Sequence, residues 1–111
     1  MGYLAYTYEL SCIYLTHYND TGGQWTAVAT GNGIKTFDPT LYKEVIGVWM
    51  NGNNDVMGST WIMLNWFPGS EPLIRVYAGT TSCPLFRFNF NNKTVNLDMN
   101  GQNGRLDLWA R

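Results

Sequence analysis

The stretch LFRFNFNNKTVNLDM, residues 85–99, has the clearest periodicity in the chain. Phenylalanines occupy every second position of its first half, and apolar side chains do the same in its second half. Alternation with a period of two places successive side chains on opposite faces of a β-strand. The Asn-Asn-Lys segment between the halves is typical of a turn. The stretch therefore predicts an antiparallel hairpin. The side chains expected to face the core are Phe86, Phe88, Phe90, Val95, Leu97 and Met99.

Short strands separated by Asn- and Gly-rich turns are predicted on both sides of this hairpin. The predicted strands are 3–18, 24–30, 34–37, 44–50, 56–67, 73–79, 85–90, 94–99 and 105–110. One helical turn is predicted within 38–43, because Asp38 can cap a helix and Pro39 fits its first turn. Eight or nine short strands with almost no helix predict an all-β fold. We expect a single antiparallel β-sandwich of jelly-roll type over residues 1–111.

The composition excludes two classes of partner. The chain has 111 residues, a net charge of -1 and only 14% charged residues, and its seven basic residues form no cluster. Nucleic-acid binding usually requires a concentrated positive surface, so we expect no nucleic-acid partner. No apolar run approaches the roughly 18 residues that span a bilayer, so we expect no membrane insertion. The first ten residues lack a basic region and a cleavage site, so we expect no signal peptide.

The residues that carry catalytic or metal chemistry are few and dispersed. His17 is the only histidine, and no nucleophile motif accompanies it. Cys12 and Cys83 lack metal-ligand spacing, so buried free thiols are expected, with a disulfide as the alternative. The segment NGNND, residues 51–55, has one carboxylate, Asp55, and lacks the closing glutamate of a calcium loop. We therefore expect a binding protein with no catalytic activity, metal or cofactor.

The aromatic residues are the strongest functional signal. Trp61 and Trp66 lie in an apolar run and are predicted to be buried, Trp66 in the core or at an interface. Trp49 lies two residues from the polar tip 51–55, and Trp109 is in phase with charged residues on its strand. Indole rings flanked by amides suit both sugar recognition and protein interfaces. The candidate ligand-binding residues are Trp49, Asn51, Asn53, Asn54, Asp55 and Trp109.

The tip itself has two interpretations. A plain hairpin turn over residues 51–55 is the more economical one, because Asn-Gly and Asn-Asn segments favour tight turns. If the tip is a site, Trp49→Ala should weaken ligand binding with little change in melting temperature. A large loss of stability would instead place Trp49 in the core.

Two runs, VIGVWM (45–50) and WIMLNWF (61–67), are apolar on both faces. One face of each sheet in a monomeric sandwich meets water, so strands that are apolar on both faces need a second covering surface. In a helix-poor chain the simplest such surface is another subunit. The sequence therefore predicts a homo-oligomer.

The whole chain resembles the terminal knob domains of viral and phage fibres, and also capsid decoration proteins. The resemblance lies in the helix-poor, weakly charged, Asn-, Gly-, Trp- and Tyr-rich composition, and the segments NGNND and FRFNFNNKTVNLDM match no family motif. It implies a homotrimer on the virion or outside the cell that binds a host-surface glycan or protein receptor. The alternative is a monomeric carbohydrate-binding module of a secreted enzyme. A small β-barrel enzyme or ligand carrier with an internal cavity is a third possibility.

Overall fold

The computed structural model describes residues 23–76 and 82–111. The strands in these ranges are β1 (Thr26–Gly31), β2 (Gly33–Thr36), β3 (Glu44–Met50), β4 (Val56–Met63), β5 (Leu73–Arg75), β6 (Leu85–Asn89), β7 (Thr94–Asp98) and β8 (Arg105–Ala110). They form two four-stranded sheets, ordered β1-β8-β3-β4 and β2-β7-β6-β5, with every neighbouring pair antiparallel. The predicted all-β sandwich is confirmed. The predicted strand 3–18, with Cys12 and His17, lies outside the described residues.

The strand pairing is that of a jelly roll only in part. A jelly roll wraps a long hairpin so that the first strand pairs with the last and the second with the last but one. Among the described strands, β1 pairs with β8 and β2 pairs with β7, as this arrangement requires. The middle strands instead pair with their sequence neighbours, β3 with β4 and β5 with β6. The short turn at 51–55 favours the local β3–β4 hairpin over a longer crossover.

The hairpin of β6 and β7 supplies the centre of the core, as its alternation predicts. Phe86, Phe88, Val95, Leu97 and Met99 are all buried between the sheets. Phe90 is only partly buried and packs against Phe88, with 5.4 Å between ring centroids. From the other sheet, Leu106 and Leu108 of β8 are completely buried against this layer. Each fully buried large apolar side chain contributes roughly 1.5–3 kcal/mol.

Gly47 of β3 allows the two sheets to approach closely. A Cβ atom at this position would lie 2.7 Å from Cε1 of Phe86. Contacts this short do not occur between real side-chain atoms, so any larger residue would push the Phe86 ring or the strand away. The backbone of β3 therefore approaches the opposite sheet closely at Gly47, and its partner there is the central phenylalanine of the core.

The predicted helical turn near residue 38 is present as a 3-10 turn over Pro39–Leu41. The Asp38 carboxylate accepts hydrogen bonds from the backbone N–H of Thr40 (3.0 Å) and from the Thr40 hydroxyl (2.6 Å). These two hydrogen bonds, with a smaller contribution from Lys93 at 3.6 Å, lower the pKa of Asp38. The carboxylate therefore caps the turn in its ionised form.

A second 3-10 turn, Leu64–Trp66, replaces the end of the strand predicted over 56–67. Strand β4 pairs with β3 only as far as Met63, which is opposite Glu44, the first residue of β3. Beyond that point the chain has no strand partner, and the backbone N–H of Leu64 donates to the Lys43 carbonyl at 2.8 Å. The turn buries Leu64 and directs the chain away from the sheet.

Candidate functional site

The candidate site lies on the outer face of the sheet β1-β8-β3-β4. Leu106, Leu108 and Ala110 of β8 are buried against the opposite sheet. Because side chains alternate along a strand, Asp107 and Trp109 point outward. The predicted orientation of Trp109, in phase with the charged residues of its strand, is confirmed.

A chain of hydrogen bonds fixes the polar groups beside Trp109. The Thr30 hydroxyl of β1 donates to Oδ1 of Asp107. The Nε–H of Arg105 donates to both carboxylate oxygens of Asp107, each at 3.1 Å. The Arg105 Nη1 group donates to Oδ1 of Asn54 at 2.8 Å. We call these five residues (Thr30, Asn54, Arg105, Asp107 and Trp109) the β8 strip.

The β8 strip is polar but carries no net charge. Arg105 and Asp107 form an ion pair whose side chains are 43% and 20% exposed, respectively. Each partner keeps part of its hydrogen-bonding capacity, because a guanidinium has five N–H donors and a carboxylate accepts up to four hydrogen bonds. The Asn54 amide nitrogen adds two further donors. The strip therefore offers fixed donors and acceptors to a neutral polar ligand.

Trp109 provides the apolar part of the strip. Its side chain is 41% exposed, and its strand neighbours are Ala27 on β1 and Ile46 on β3. Asp107 is two residues away on the same face, at roughly 7 Å along the strand. An exposed indole next to fixed polar groups can stack on one part of a ligand while those groups bind another part.

Trp49, predicted as a candidate ligand-binding residue, is instead part of the core. It is 6% exposed, and its indole N–H donates to the Asn103 carbonyl at 3.0 Å. Strand β3 is apolar on both faces, and Trp49 lies on the same face as Gly47 and Val45, which contact the opposite sheet. A buried ring cannot stack on a ligand, so we remove Trp49 from the candidate site.

The tip 51–55 is a turn stabilised by its own hydrogen bonds. Oδ1 of Asn51 accepts from the backbone N–H groups of Asn53 (2.8 Å) and Asp55 (3.0 Å). Asn54 adopts a left-handed backbone with φ of 64°, which asparagine tolerates well. Only Asn54 is connected to the β8 strip, through Arg105. Asn51 is occupied within the turn, and the side chains of Asn53 and Asp55 are exposed on it.

A buried ion pair, which the sequence analysis missed, lies on the same outer face. The Nε atom of Arg111 donates to Oε2 of Glu44 at 2.7 Å, and the two side chains are 1% and 6% exposed. Trp61 Nε1 donates to Oε1 of the same carboxylate at 2.7 Å. The Arg111 guanidinium carbon lies 4.6 Å from the ring centroid of Trp25, and Nη1 donates to the Gly23 carbonyl. Arg111 follows Trp109 by two residues, which is the signal that could have placed it on this face.

Two tryptophans beside this ion pair are less buried than core residues. Trp61, predicted to be buried, is half-buried, and Trp66, predicted to lie in the core or at an interface, is 56% exposed in the single chain and is not a core residue. Their rings pack edge to face with 5.3 Å between centroids. The second 3-10 turn is responsible, because it ends the strand and places Trp66 over Trp61 instead of in the core.

A shallow groove lies at one end of the sandwich. It has a volume of about 590 Å³ and lies between the two 3-10 turns. We call it the end groove, and its lining residues are Pro39, Thr40, Tyr42, Lys43, Met63, Leu64, Asn65 and Phe90. The sequence analysis did not find it, because three segments that are distant in sequence form its walls.

Residues 23–76 and 82–111 contain no group of three or more His, Cys, Asp or Glu side chains placed to hold a metal ion. Cys83 is a buried free thiol, as predicted. None of the helices in these ranges has the length and apolar character needed to cross a bilayer. Comparisons of the chain with protein-family models, with curated proteins and with solved structures each gave no match.

Proposed function

We propose that this protein is a non-catalytic domain that binds a neutral glycan on its β8 strip. The single observation that carries the proposal is the hydrogen-bonded series Asn54–Arg105–Asp107 beside the exposed Trp109. Sugar rings have C–H faces that pack on indole and hydroxyls that need directed donors and acceptors. The β8 strip offers both kinds of group on one side of a rigid sheet.

The sheet holds these groups in place before a ligand arrives. Arg105 and Asp107 are on a central strand with hydrogen-bonded neighbours on both sides. The two Nε–H contacts between their side chains restrict rotation of the guanidinium. Binding therefore loses little side-chain conformational entropy, which favours affinity for a small polar ligand.

Trp109→Ala is expected to weaken glycan binding at least tenfold while the fold is retained, because the ring is 41% exposed on the outer face and lies outside the core between the sheets. The measurement is a screen on a printed glycan array, followed by titration of the strongest ligand against the wild type and the variant. Ile34→Ala removes an even more exposed apolar side chain on the other sheet and serves as the matched control. Equal glycan affinity of the wild type and Trp109→Ala would exclude the β8 strip as the glycan-binding site.

Two forms of the proposal differ in oligomeric state. A homotrimeric fibre tip on a virion, which binds a host-surface receptor, is the form that the resemblance implies. A monomeric carbohydrate-binding module of a secreted enzyme is the alternative. Light scattering behind a sizing column separates them: we expect a mass near three times 12.6 kDa for the fibre tip and near 12.6 kDa for the module.

A further inference from the structure

We propose that the end groove is a second binding site, for a sugar that carries a carboxylate. It shares no residue with the β8 strip, so this inference goes beyond the proposed function and does not depend on it. The volume of about 590 Å³ lies within the range of small-ligand sites, roughly 300–1,000 Å³. A monosaccharide or disaccharide fits this space.

The charge of the groove points to an anion. Among the described residues that line the groove, Lys43 is the only charged one, and it takes part in none of the ion pairs that these parts of the chain form. The carboxylates on either side of it in sequence are already engaged, Asp38 by Thr40 and Lys93 and Glu44 by Arg111. The groove therefore presents one uncompensated ammonium, which a ligand carboxylate would neutralise.

Two further polar groups in the groove have no hydrogen-bond partner within residues 23–76 and 82–111. In the part of the chain that the structure describes, neither the Asn65 amide nor the Tyr42 hydroxyl forms a hydrogen bond. Both groups can donate and accept, which matches the hydroxyls of a sugar. Asn65 is in the second 3-10 turn and Tyr42 ends the first, so both are anchored on short, defined turns.

The remaining surface of the groove suits the C–H face of a sugar ring. Tyr42 stacks on Phe37 with 5.6 Å between centroids, and Phe90 packs against Phe88 at 5.4 Å. Both rings are held by core residues and are available as walls without rearrangement. A ring ligand with hydroxyls and one carboxylate is the chemistry that uses the walls, the amide, the hydroxyl and the ammonium together.

The test is an NMR titration of the full-length ¹⁵N-labelled chain with three probes: glucuronate, glucose and cyclohexanecarboxylate. We expect glucuronate to shift the backbone amides of Lys43 and Asn65 and to bind at least tenfold more tightly than either other probe. Glucose lacks the carboxylate and therefore tests its contribution to binding. Cyclohexanecarboxylate lacks the hydroxyls and therefore tests theirs. Equal binding of glucose and glucuronate would overturn the proposal, as would the absence of saturable shifts with glucuronate.

Variants locate the binding in the groove. Lys43→Gln is expected to reduce glucuronate affinity about tenfold, because it removes the charge-assisted hydrogen bond and leaves the backbone contacts of residue 43 in place. Lys35→Gln removes another lysine, which lies outside the groove and forms no ion pair with any described residue, and it should have no effect. The glucuronate-induced shifts of the Lys43 and Asn65 amides should be the same in Trp109→Ala as in the wild type, which separates this site from the β8 strip. Equal losses in Lys43→Gln and Lys35→Gln would indicate nonspecific charge attraction and contradict the proposal.

Discussion

Glu44→Ala is expected to lower the free energy of unfolding by about 3–5 kcal/mol, because it removes the buried carboxylate that neutralises the buried Arg111 guanidinium. It also removes an acceptor of the Trp61 indole N–H. The cost comes from desolvation: the interior withholds the water that would otherwise solvate the charge that Glu44 neutralises. Chemical denaturation of the wild type and the variant measures the difference.

Asp107→Ala is the matched control, because Asp107 also pairs with an arginine on the outer face of the same sheet. The Arg105–Asp107 pair is partly exposed, so its loss should cost no more than about 1 kcal/mol. The double variant Glu44→Met with Arg111→Met should recover part of the lost stability, since it removes both charges together. If Glu44→Ala cost no more than Asp107→Ala, the account of a buried, desolvated ion pair would be wrong.

Trp49→Ala is expected to lower the free energy of unfolding by about 3–5 kcal/mol, because the indole is buried and its removal leaves a cavity in the core. This reverses the expectation that followed from placing Trp49 at the tip. The measurement is again the midpoint and slope of chemical unfolding. The slope should be unchanged if the variant alters stability alone.

Trp49→Phe separates the two contributions of the indole. It keeps an aromatic ring in the core but removes the N–H that donates to the Asn103 carbonyl. We expect a smaller loss of about 1–2 kcal/mol, from the lost hydrogen bond to a partly buried carbonyl together with a modest change in side-chain volume. An unchanged melting temperature in Trp49→Ala would return this residue to the list of candidate ligand contacts.

The difference between Trp49 and Trp109 shows what the sequence can and cannot predict. Along β8, apolar and polar residues alternate, so the outward position of Trp109 could be predicted from its phase with Asp107. Along β3, both faces are apolar, so periodicity could not decide which one points inward. That choice depends on Gly47, whose lack of a side chain lets β3 pack directly against Phe86 of the other sheet.

The contacts that build the candidate site depend on tertiary structure. Asn54 and Arg105 are 51 positions apart and meet only because the β3–β4 turn lies beside the start of β8. The exposure of Trp66 likewise depends on where the pairing of β4 with β3 stops, which follows from strand register. The local sequence pattern predicts the strands and most of the core. It does not predict the strand register that brings these residues together.

The apolar outer face of β3 is weaker support for a second subunit than the sequence pattern alone suggests. On the outer face of β3, Ile46, Val48 and Met50 are half-buried within the single chain. The neighbours of Ile46 across the sheet are Trp61 and Trp109, whose large rings account for part of this cover. The apolar character of the outer face of β3 is therefore partly explained by contacts within a single chain. The homo-oligomer stays a proposal that the native mass will test.

The most direct test of the central claim, that the β8 strip binds a glycan, is to observe the five indole N–H signals by NMR. The signals are assigned with single Trp→Phe variants, and the wild type is then titrated with the strongest ligand from the glycan array. We predict that the indole signal of Trp109 shifts most and that the signal of Trp49, which is buried in the core, does not shift. Shifts that leave Trp109 unchanged, or an array on which no glycan binds, would contradict the account.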